Sequence, residues 1–287
     1  INEIHAAGLK AYYFMDIIVL PKKVKELYHD EICDSDGWIN LNRPKTQEIH
    51  RKMLQEVFAR FPSLDGLVIR VGETYLHNVP YHCGNGPIRK KNGEWKHDNS
   101  KKSDGGENTH SLLINLLRDE VCEKLQKDII YRTWDFGFFH TNPDYYLQAT
   151  NQVLPHEHLY FAIKHVEGDY HRTIPFNSVL GIGKHKQIVE VQCQREYEGK
   201  GAYPNYIANG VIEGFEEYKK TIGMHSLKKL SSSPLFAGVW TWSRGGGWVG
   251  PYIKNELWYS FADDRPMLGF TMAFFIFCNQ RRIILQV

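Results

Sequence analysis

The chain alternates apolar segments with helical segments, and this alternation restricts its fold more than any other sequence feature. About six segments predict buried strands: Leu9–Val19, Asp65–Thr74, Asp128–Asp135, His158–Val166, Gln187–Gln194 and Leu235–Trp242. Other segments predict helices: Asn2–Ala7, Pro44–Arg60, Asn108–Gln126, Pro143–Leu154 and Asn209–Ile222. Strands that are apolar on both faces and alternate with helices are typical of a parallel sheet covered by helices. The sequence therefore predicts an α/β fold.

Polar or charged residues end nearly every predicted strand, and they discriminate between two α/β architectures. They are Asp16, Glu73, Asp135, Glu167, Asp169, Glu196 and Arg244. A (β/α)8 barrel collects functional residues from several strands at its carboxyl-terminal rim, whereas an open doubly wound sheet concentrates them at one switch point. We therefore predict a TIM-type barrel, incomplete because about six to seven of its eight βα units are recognisable. Residues 1–264 are expected to form this catalytic domain, and residues 265–287 an atypical C-terminal tail.

Composition and charge exclude several other classes of protein. Hydrophobic residues make up 42% of the 287-residue chain, which excludes an intrinsically disordered protein. The net charge is only +2, so no overall field attracts nucleic acid or acidic lipid, and we expect neither as a partner. The longest apolar run, Met267–Cys278, is too short to span a membrane.

Cofactor motifs are absent from the sequence as well. No glycine-rich nucleotide-binding motif follows a predicted strand, and the widely spaced cysteines contain no CxxC pair. The segment Pro155-His156-Glu157-His158 precedes a strand, which places it at the end of a barrel opposite to the catalytic rim. We therefore expect no metal at this segment.

Three acids occupy positions suited to catalysis. Glu73 ends a strand at the start of the long polar segment Tyr75–Glu107, and long loops in compact domains are usually functional. Asp169 and Glu196 lie at or just past the ends of the later strands. Such acids could provide one proton donor and one or two bases, which is the division of labour in glycoside hydrolysis. The alternative is structural, with Glu73 capping a helix or pairing with Arg70.

Cations recur at matching positions. Arg70, Arg132 and Lys164 lie within otherwise apolar strands near their carboxyl ends, and a charge in such a run needs a partner. They could pair with the neighbouring acids, or they could bind an anionic substrate, for which arginine offers two parallel hydrogen bonds. Lys164 could alternatively form a Schiff base.

The aromatic content, 13% of the chain, is high enough to suggest stacking on a flat-ringed ligand such as a sugar. A large core would also account for it and is the favoured interpretation. The residues that we place around a sugar pocket are Tyr75, Tyr197, Trp240, Trp242 and Trp248.

Five segments, in order, carry a resemblance to a known family. They are Leu67-Val68-Ile69-Arg70-Val71-Gly72-Glu73, Ile130-Tyr131-Arg132, Ile163-Lys164 with Asp169, Gln192–Gly199 with its Arg-Glu-Tyr-Glu-Gly core, and Gly247-Trp248-Val249-Gly250-Pro251. At these residues the chain resembles the family 67 glycoside hydrolases, the α-glucuronidases that remove (4-O-methyl)glucuronic acid from xylan fragments. The resemblance covers about residues 60–260.

This resemblance implies an inverting, cofactor-free mechanism on a uronic-acid-bearing oligosaccharide. Glu73 would protonate the glycosidic oxygen, while Asp169 and Glu196 would activate a water on the opposite face of the sugar. Arg132 and Lys164, with Arg70, would bind the uronate carboxylate. The segments that contain Tyr197 and Trp248 would contribute substrate contacts.

Two alternatives belong to other functional classes. An incomplete barrel could bind carbohydrate without turnover, in which case glucuronic acid would bind and no product would be released. A lyase or aldolase acting through Lys164 would be trapped by borohydride with a keto substrate.

Overall fold

The computed structural model describes residues 1–35, 37–72, 80–84, 106–135, 137–172, 174–191, 208–220, 223–241 and 284–285. Over these residues the predicted α/β class is confirmed, because six strands form an all-parallel sheet interleaved with helices. The predicted boundary between residues 264 and 265 lies outside the described residues and stays a prediction.

The strands are short and mostly coincide with the predicted apolar segments. In chain order they are β1 (Tyr12–Asp16), β2 (Leu20–Pro21), β3 (Gly66–Arg70), β4 (His82–Cys83), β5 (Asp128–Arg132), β6 (Leu159–Lys164), β7 (Lys186–Val191), β8 (Phe236–Thr241) and β9 (Ile284–Leu285). The parallel sheet contains β1, β3, β5, β6, β7 and β8, with the short β9 paired parallel to β8. Strands β2 and β4 form a separate antiparallel pair.

The helices of the described residues are, in chain order, α1 (Asn2–Ala6), α2 (Lys22–Leu27), α3 (His29–Ile32), α4 (Pro44–Arg60), α5 (Glu107–Leu117), α6 (Phe138–Thr141), α7 (Pro143–Thr150), α8 (Ala208–Glu213) and α9 (Leu227–Leu230). A π-helical turn, Arg118–Glu123, follows α5. Among the helices described, none combines the length and the apolar character needed to cross a membrane.

Two compact units divide the chain. The first comprises Ile1–Phe161 and Gly183–His185, and the second comprises Ala162–Ile182 and Lys186–Val287. The division falls within β6, whose residues are all buried.

In the first unit, β3 pairs in parallel with both β1 and β5. Tyr12 lies opposite Gly66 and Asp16 opposite Arg70, while Gly66 also lies opposite Asp128. A side chain at position 66 would not fit, because a Cβ there would lie 2.1 Å from the Asp128 carbonyl oxygen. Glycine therefore permits the close approach of β3 and β5.

A polar network holds the amino-terminal ends of these strands together. The buried Asp128 carboxylate accepts hydrogen bonds from Lys10 Nζ at 2.8 Å and Tyr12 Oη at 2.6 Å, and its other oxygen lies 2.6 Å from His158 Nδ1. Burial alone would raise the pKa of Asp128, but these hydrogen bonds outweigh it and lower the pKa below its ordinary value. The amino-terminal end of the sheet thus has a stabilising role, as it does in barrel proteins.

The core of the first unit uses part of the aromatic surplus. The ring centroid of Phe139 lies 5.6 Å from that of Tyr146, and Phe161 lies 5.8 Å from Tyr146 and 6.1 Å from Tyr131. All four side chains are fully buried. Much of the aromatic content in this half of the chain therefore packs the core and is not available for stacking on a ligand.

In the second unit, β7 and β8 pair in parallel, with Val189 opposite Val239. The predicted helix Asn209–Ile222 is wrong in its extent, because α8 ends at Glu213. Gly214 follows with φ of +94°, in the left-handed region where glycine ends helices. The chain continues as a short 3₁₀ turn, Glu216–Tyr218.

Candidate functional site at the carboxyl ends of the strands

Arg70 ends β3 and is paired with an acid of the neighbouring strand. Because Asp16 lies directly opposite it in the register of β1 and β3, Arg70 Nε and Nη2 both donate to the Asp16 carboxylate, the second at 2.6 Å. Both side chains are partly exposed. The structure thus favours the structural interpretation of Arg70, with Asp16 as its acid partner.

Arg132 ends β5 and is almost fully buried, with 2% of its surface exposed. Its guanidinium carbon lies 5.5 Å from the ring centroid of Phe14, and the guanidinium carbon of Arg70 lies 5.6 Å from the same centroid. Phe14 on β1 therefore brings two cations close to one aromatic ring. The sequence placed both arginines at strand ends, but it did not indicate that they share this ring.

Lys164 and Asp169, which the family resemblance assigns to one segment, are in contact in the second unit. Lys164 ends β6 with its side chain 6% exposed, and its Nζ lies 3.1 Å from Asp169 Oδ1 and 3.4 Å from the carbonyl oxygen of Gly168. The chain turns back after β6, because His165 O accepts from Asn177 N and Val166 pairs with Phe176. This turn returns Asp169 to the end of its own strand.

Tyr170 contacts Lys164, and His165 and Glu190 contact Tyr170; the sequence indicated none of these three residues. Lys164 Nζ lies 5.0 Å from the centroid of the Tyr170 ring, which stacks on His165 with centroids 5.4 Å apart. The Tyr170 hydroxyl donates to Glu190 Oε2 at 3.4 Å. Glu190 is a charge within the apolar strand β7, so the rule that singled out Lys164 would also have found it.

The protonation state of His165 follows from its position. Its side chain is buried, and burial lowers its pKa from 6.5 to about 4, with the Lys164 ammonium acting in the same direction. His165 is therefore neutral at physiological pH, so Lys164 does not face a second positive charge from this ring.

Asp135, another predicted strand-end acid, belongs to a buried network in the first unit. Its Oδ1 accepts from Gly137 N at 2.8 Å, and its Oδ2 lies 3.5 Å from His110 Nε2. The other ring nitrogen of His110 lies 2.9 Å from the hydroxyl of Tyr131. Burial, with the Asp135 charge, raises the pKa of Tyr131 well above its ordinary value, so the hydroxyl stays protonated. This network ties α5 to β5.

Glu73, Glu196, Tyr197 and Trp248 lie outside the described residues, as do Tyr75, Trp242 and Arg244. Trp240 lies on β8 and is buried. Of the three predicted catalytic acids, Asp169 is therefore the one that lies among the described residues.

The described residues offer no cluster of three or more histidine, cysteine or acidic side chains that could hold a metal ion. The histidines considered as ligands in the sequence have acidic neighbours instead. His156 Nε2 lies 3.4 Å from Glu123 Oε2, and His158 contacts Asp128 at the amino-terminal ends of the strands. Both contacts agree with a structural role.

Comparison with known proteins adds no relative to these observations. A scan against protein-family models matches none, and a search of curated proteins finds no significant match.

Proposed function

We propose that the chain is a glycoside hydrolase of the α-glucuronidase type, which removes a terminal α-linked (4-O-methyl)glucuronic acid from xylan-derived oligosaccharides. The observation that supports this most strongly is the contact between Lys164 and Asp169, 3.1 Å apart at the end of a buried parallel strand. A cation in contact with an acid fits a site that must recognise a carboxylate and also activate water.

The proposed architecture is a (β/α)8-type barrel with an incomplete set of βα units. The six parallel strands support it, because each alternates with helical segments as barrel strands do. In such a barrel the carboxyl ends of β3, β5 and β6 carry Arg70, Arg132 and Lys164 to the catalytic rim. The partially buried network around Asp128 at the opposite end agrees with this polarity.

The proposed mechanism inverts the anomeric centre in one step. Glu73 donates a proton to the glycosidic oxygen as the bond to the sugar breaks, and the leaving xylo-oligosaccharide departs as an alcohol. Asp169, together with Glu196, takes a proton from the water that attacks the opposite face. The Lys164 ammonium holds the Asp169 carboxylate and offers its charge to the substrate carboxylate.

The uronate carboxylate is the group that distinguishes this substrate from neutral sugars. Arg132 is suited to binding it, since a guanidinium presents two parallel donors to a carboxylate and remains charged at all relevant pH values. Tyr197 and Trp248 supply contacts to the sugar in the proposal. No metal or organic cofactor takes part in these steps.

The experiment that tests the proposal is hydrolysis of aldouronic acids by the full chain, with glucuronic acid measured as product. Asp169→Asn should lower kcat by at least a hundred-fold, because an amide cannot accept the proton from water. Glu167→Gln is the matched control, since Glu167 lies on the same turn and contacts Ser178 at 3.1 Å. Equal effects of the two substitutions would contradict the role of Asp169.

Two outcomes would select the alternatives. Binding of glucuronic acid without any release of product would identify a non-catalytic carbohydrate-binding barrel. A covalent adduct at Lys164, trapped by borohydride with a keto substrate, would identify a lyase or aldolase.

A further inference from the structure

Lys164 is held by more contacts than its ion pair with Asp169. Its partner Asp169 lies on a turn and is 36% exposed, so the ion pair alone holds a flexible four-carbon side chain only weakly. Besides the Gly168 carbonyl oxygen at 3.4 Å, the ring of Tyr170 supplies a further contact, with the ammonium 5.0 Å from its centroid. Tyr170 itself is buried.

Glu190 contacts this cluster through both its main chain and its side chain. Its carbonyl oxygen accepts from His165 N at 2.9 Å, and its carboxylate accepts from the Tyr170 hydroxyl at 3.4 Å. The residue is fully buried within β7, so the position of its carboxylate is set by the sheet. Strand β7 thus supports the Tyr170 ring from a rigid element.

We propose that Tyr170 is a positioning residue that orients the Lys164 ammonium for an anionic substrate group, and that Glu190 holds Tyr170 in place. The ring face attracts the ammonium but adds no negative charge to that of Asp169, so the ring orients the cation without competing with the substrate anion for it. The stacked His165 is neutral above about pH 5, because burial lowers its pKa to about 4. It supports the ring without repelling Lys164.

The identity of the anionic group, a uronate, rests on the proposed function, whereas the orientation of Lys164 does not. The first test therefore measures Lys164 directly and needs no substrate. The native full chain is reductively methylated with formaldehyde and a borane, and the labelling rate of each lysine is obtained by mass spectrometry. Lys228, which is 68% exposed and lies in the same unit, is the internal control.

The expected labelling rates of Lys164 distinguish the effect of the Tyr170 ring from the effect of its hydrogen bond to Glu190. Tyr170→Leu removes the ring and should raise the labelling rate of Lys164 roughly ten-fold. Tyr170→Phe removes the hydroxyl and Glu190→Leu removes the carboxylate that accepts from it, so each loses this hydrogen bond and should raise the rate by about three-fold. The double variant, Tyr170→Phe with Glu190→Leu, should show the same Lys164 labelling rate as either single variant, because both remove the same hydrogen bond. Glu190→Gln keeps an acceptor oxygen, so its labelling rate should remain within about two-fold of the wild type.

The Lys228 rate and the circular dichroism spectrum should stay unchanged in every variant, which shows that the fold is retained. A Lys164 rate in Tyr170→Leu within two-fold of the wild type, with Lys228 unchanged, would overturn the proposal. Additive effects in the double variant would also overturn the role of Glu190. If Tyr170→Leu does not fold, the other variants still test the proposal. A Lys164 rate that rises about three-fold in Tyr170→Phe but not in Glu190→Gln would support it, and an unchanged rate in Tyr170→Phe would overturn it.

Kinetics then separate this inference from the proposed function. With an aryl α-glucuronide, Tyr170→Leu should raise KM about ten-fold and change kcat less than three-fold, because the lysine contact binds substrate and transition state alike. If the wild type releases no glucuronic acid while the labelling pattern holds, the proposed function fails and the orientation of Lys164 stands. If the wild type is active and the labelling pattern is absent, the positioning role alone fails.

Discussion

Replacing Asp128 with asparagine tests whether the polar network at the amino-terminal end of the sheet stabilises the fold. The substitution keeps the shape of the side chain but removes its charge from a position that is only 4% exposed. Asparagine retains one acceptor oxygen, but its NH2 group replaces the other carboxylate oxygen. That NH2 group then faces a hydrogen-bond donor, and the two cannot form a hydrogen bond. A hydrogen bond to a charged group contributes roughly 1.5–3 kcal/mol, and Lys10, being 56% exposed, can turn to solvent. We therefore expect Asp128→Asn to lower the free energy of unfolding by about 2–4 kcal/mol.

The assay is urea denaturation followed by circular dichroism, with Lys10→Met as the control. Lys10→Met should cost less than about 1 kcal/mol, because it removes the solvent-exposed partner only. The pH dependence gives a second check. Because the folded pKa of Asp128 is depressed, its contribution is complete above the unfolded value of about 3.9 and is lost as the pH falls through the folded pKa. The deficit of Asp128→Asn should therefore shrink below about pH 4. A deficit under 1 kcal/mol, or one that is equal at pH 3 and pH 7, would refute the reasoning.

Two further predictions rest on the described residues, and two rest on the proposed function. Gly66→Ala should cost about 3 kcal/mol or more in urea denaturation, because the new Cβ would lie 2.1 Å from the Asp128 carbonyl oxygen; a loss below 1 kcal/mol would exclude this close approach. His165 should contribute about 3 kcal/mol to the stability that the wild type loses between pH 6.5 and pH 4, because the unfolded ring binds a proton there and the folded one does not, and His165→Phe should reduce the total loss by about that amount. Glu73→Ala should abolish hydrolysis of xylo-oligosaccharides but retain activity on substrates with a good leaving group, so equal losses would argue against its role as acid. Lys164→Met should raise KM for a glucuronoside more than for the matched neutral glucoside, and an equal rise would remove Lys164 from carboxylate recognition.

The α/β class was predictable because apolar runs and helix-ending residues are local signals. Helix α4 matches its prediction at both ends, since Pro44 occupies its first turn and Phe61-Pro62 follows its last residue. The helix beginning near residue 208 is shorter than predicted, because the left-handed conformation of Gly214 ends it. The sequence showed a glycine there, but its backbone conformation depends on the surrounding fold.

The candidate site was predictable where its residues are close in the chain. Lys164 and Asp169 are five residues apart, so a single turn after a strand brings them together. The pair of Arg70 and Asp16 depends instead on the register of two strands that are distant in sequence. Glu190 was missed because the acids considered were those at or beyond strand ends, whereas it lies inside β7.

The most direct measurement of the central claim is proton NMR of the sugar released from an α-linked aldouronic acid during the first minutes of hydrolysis. The proposed single displacement predicts that β-glucuronic acid appears first and that the α-anomer forms only later by mutarotation. Initial release of the α-anomer, or failure to release glucuronic acid at all, would contradict the account.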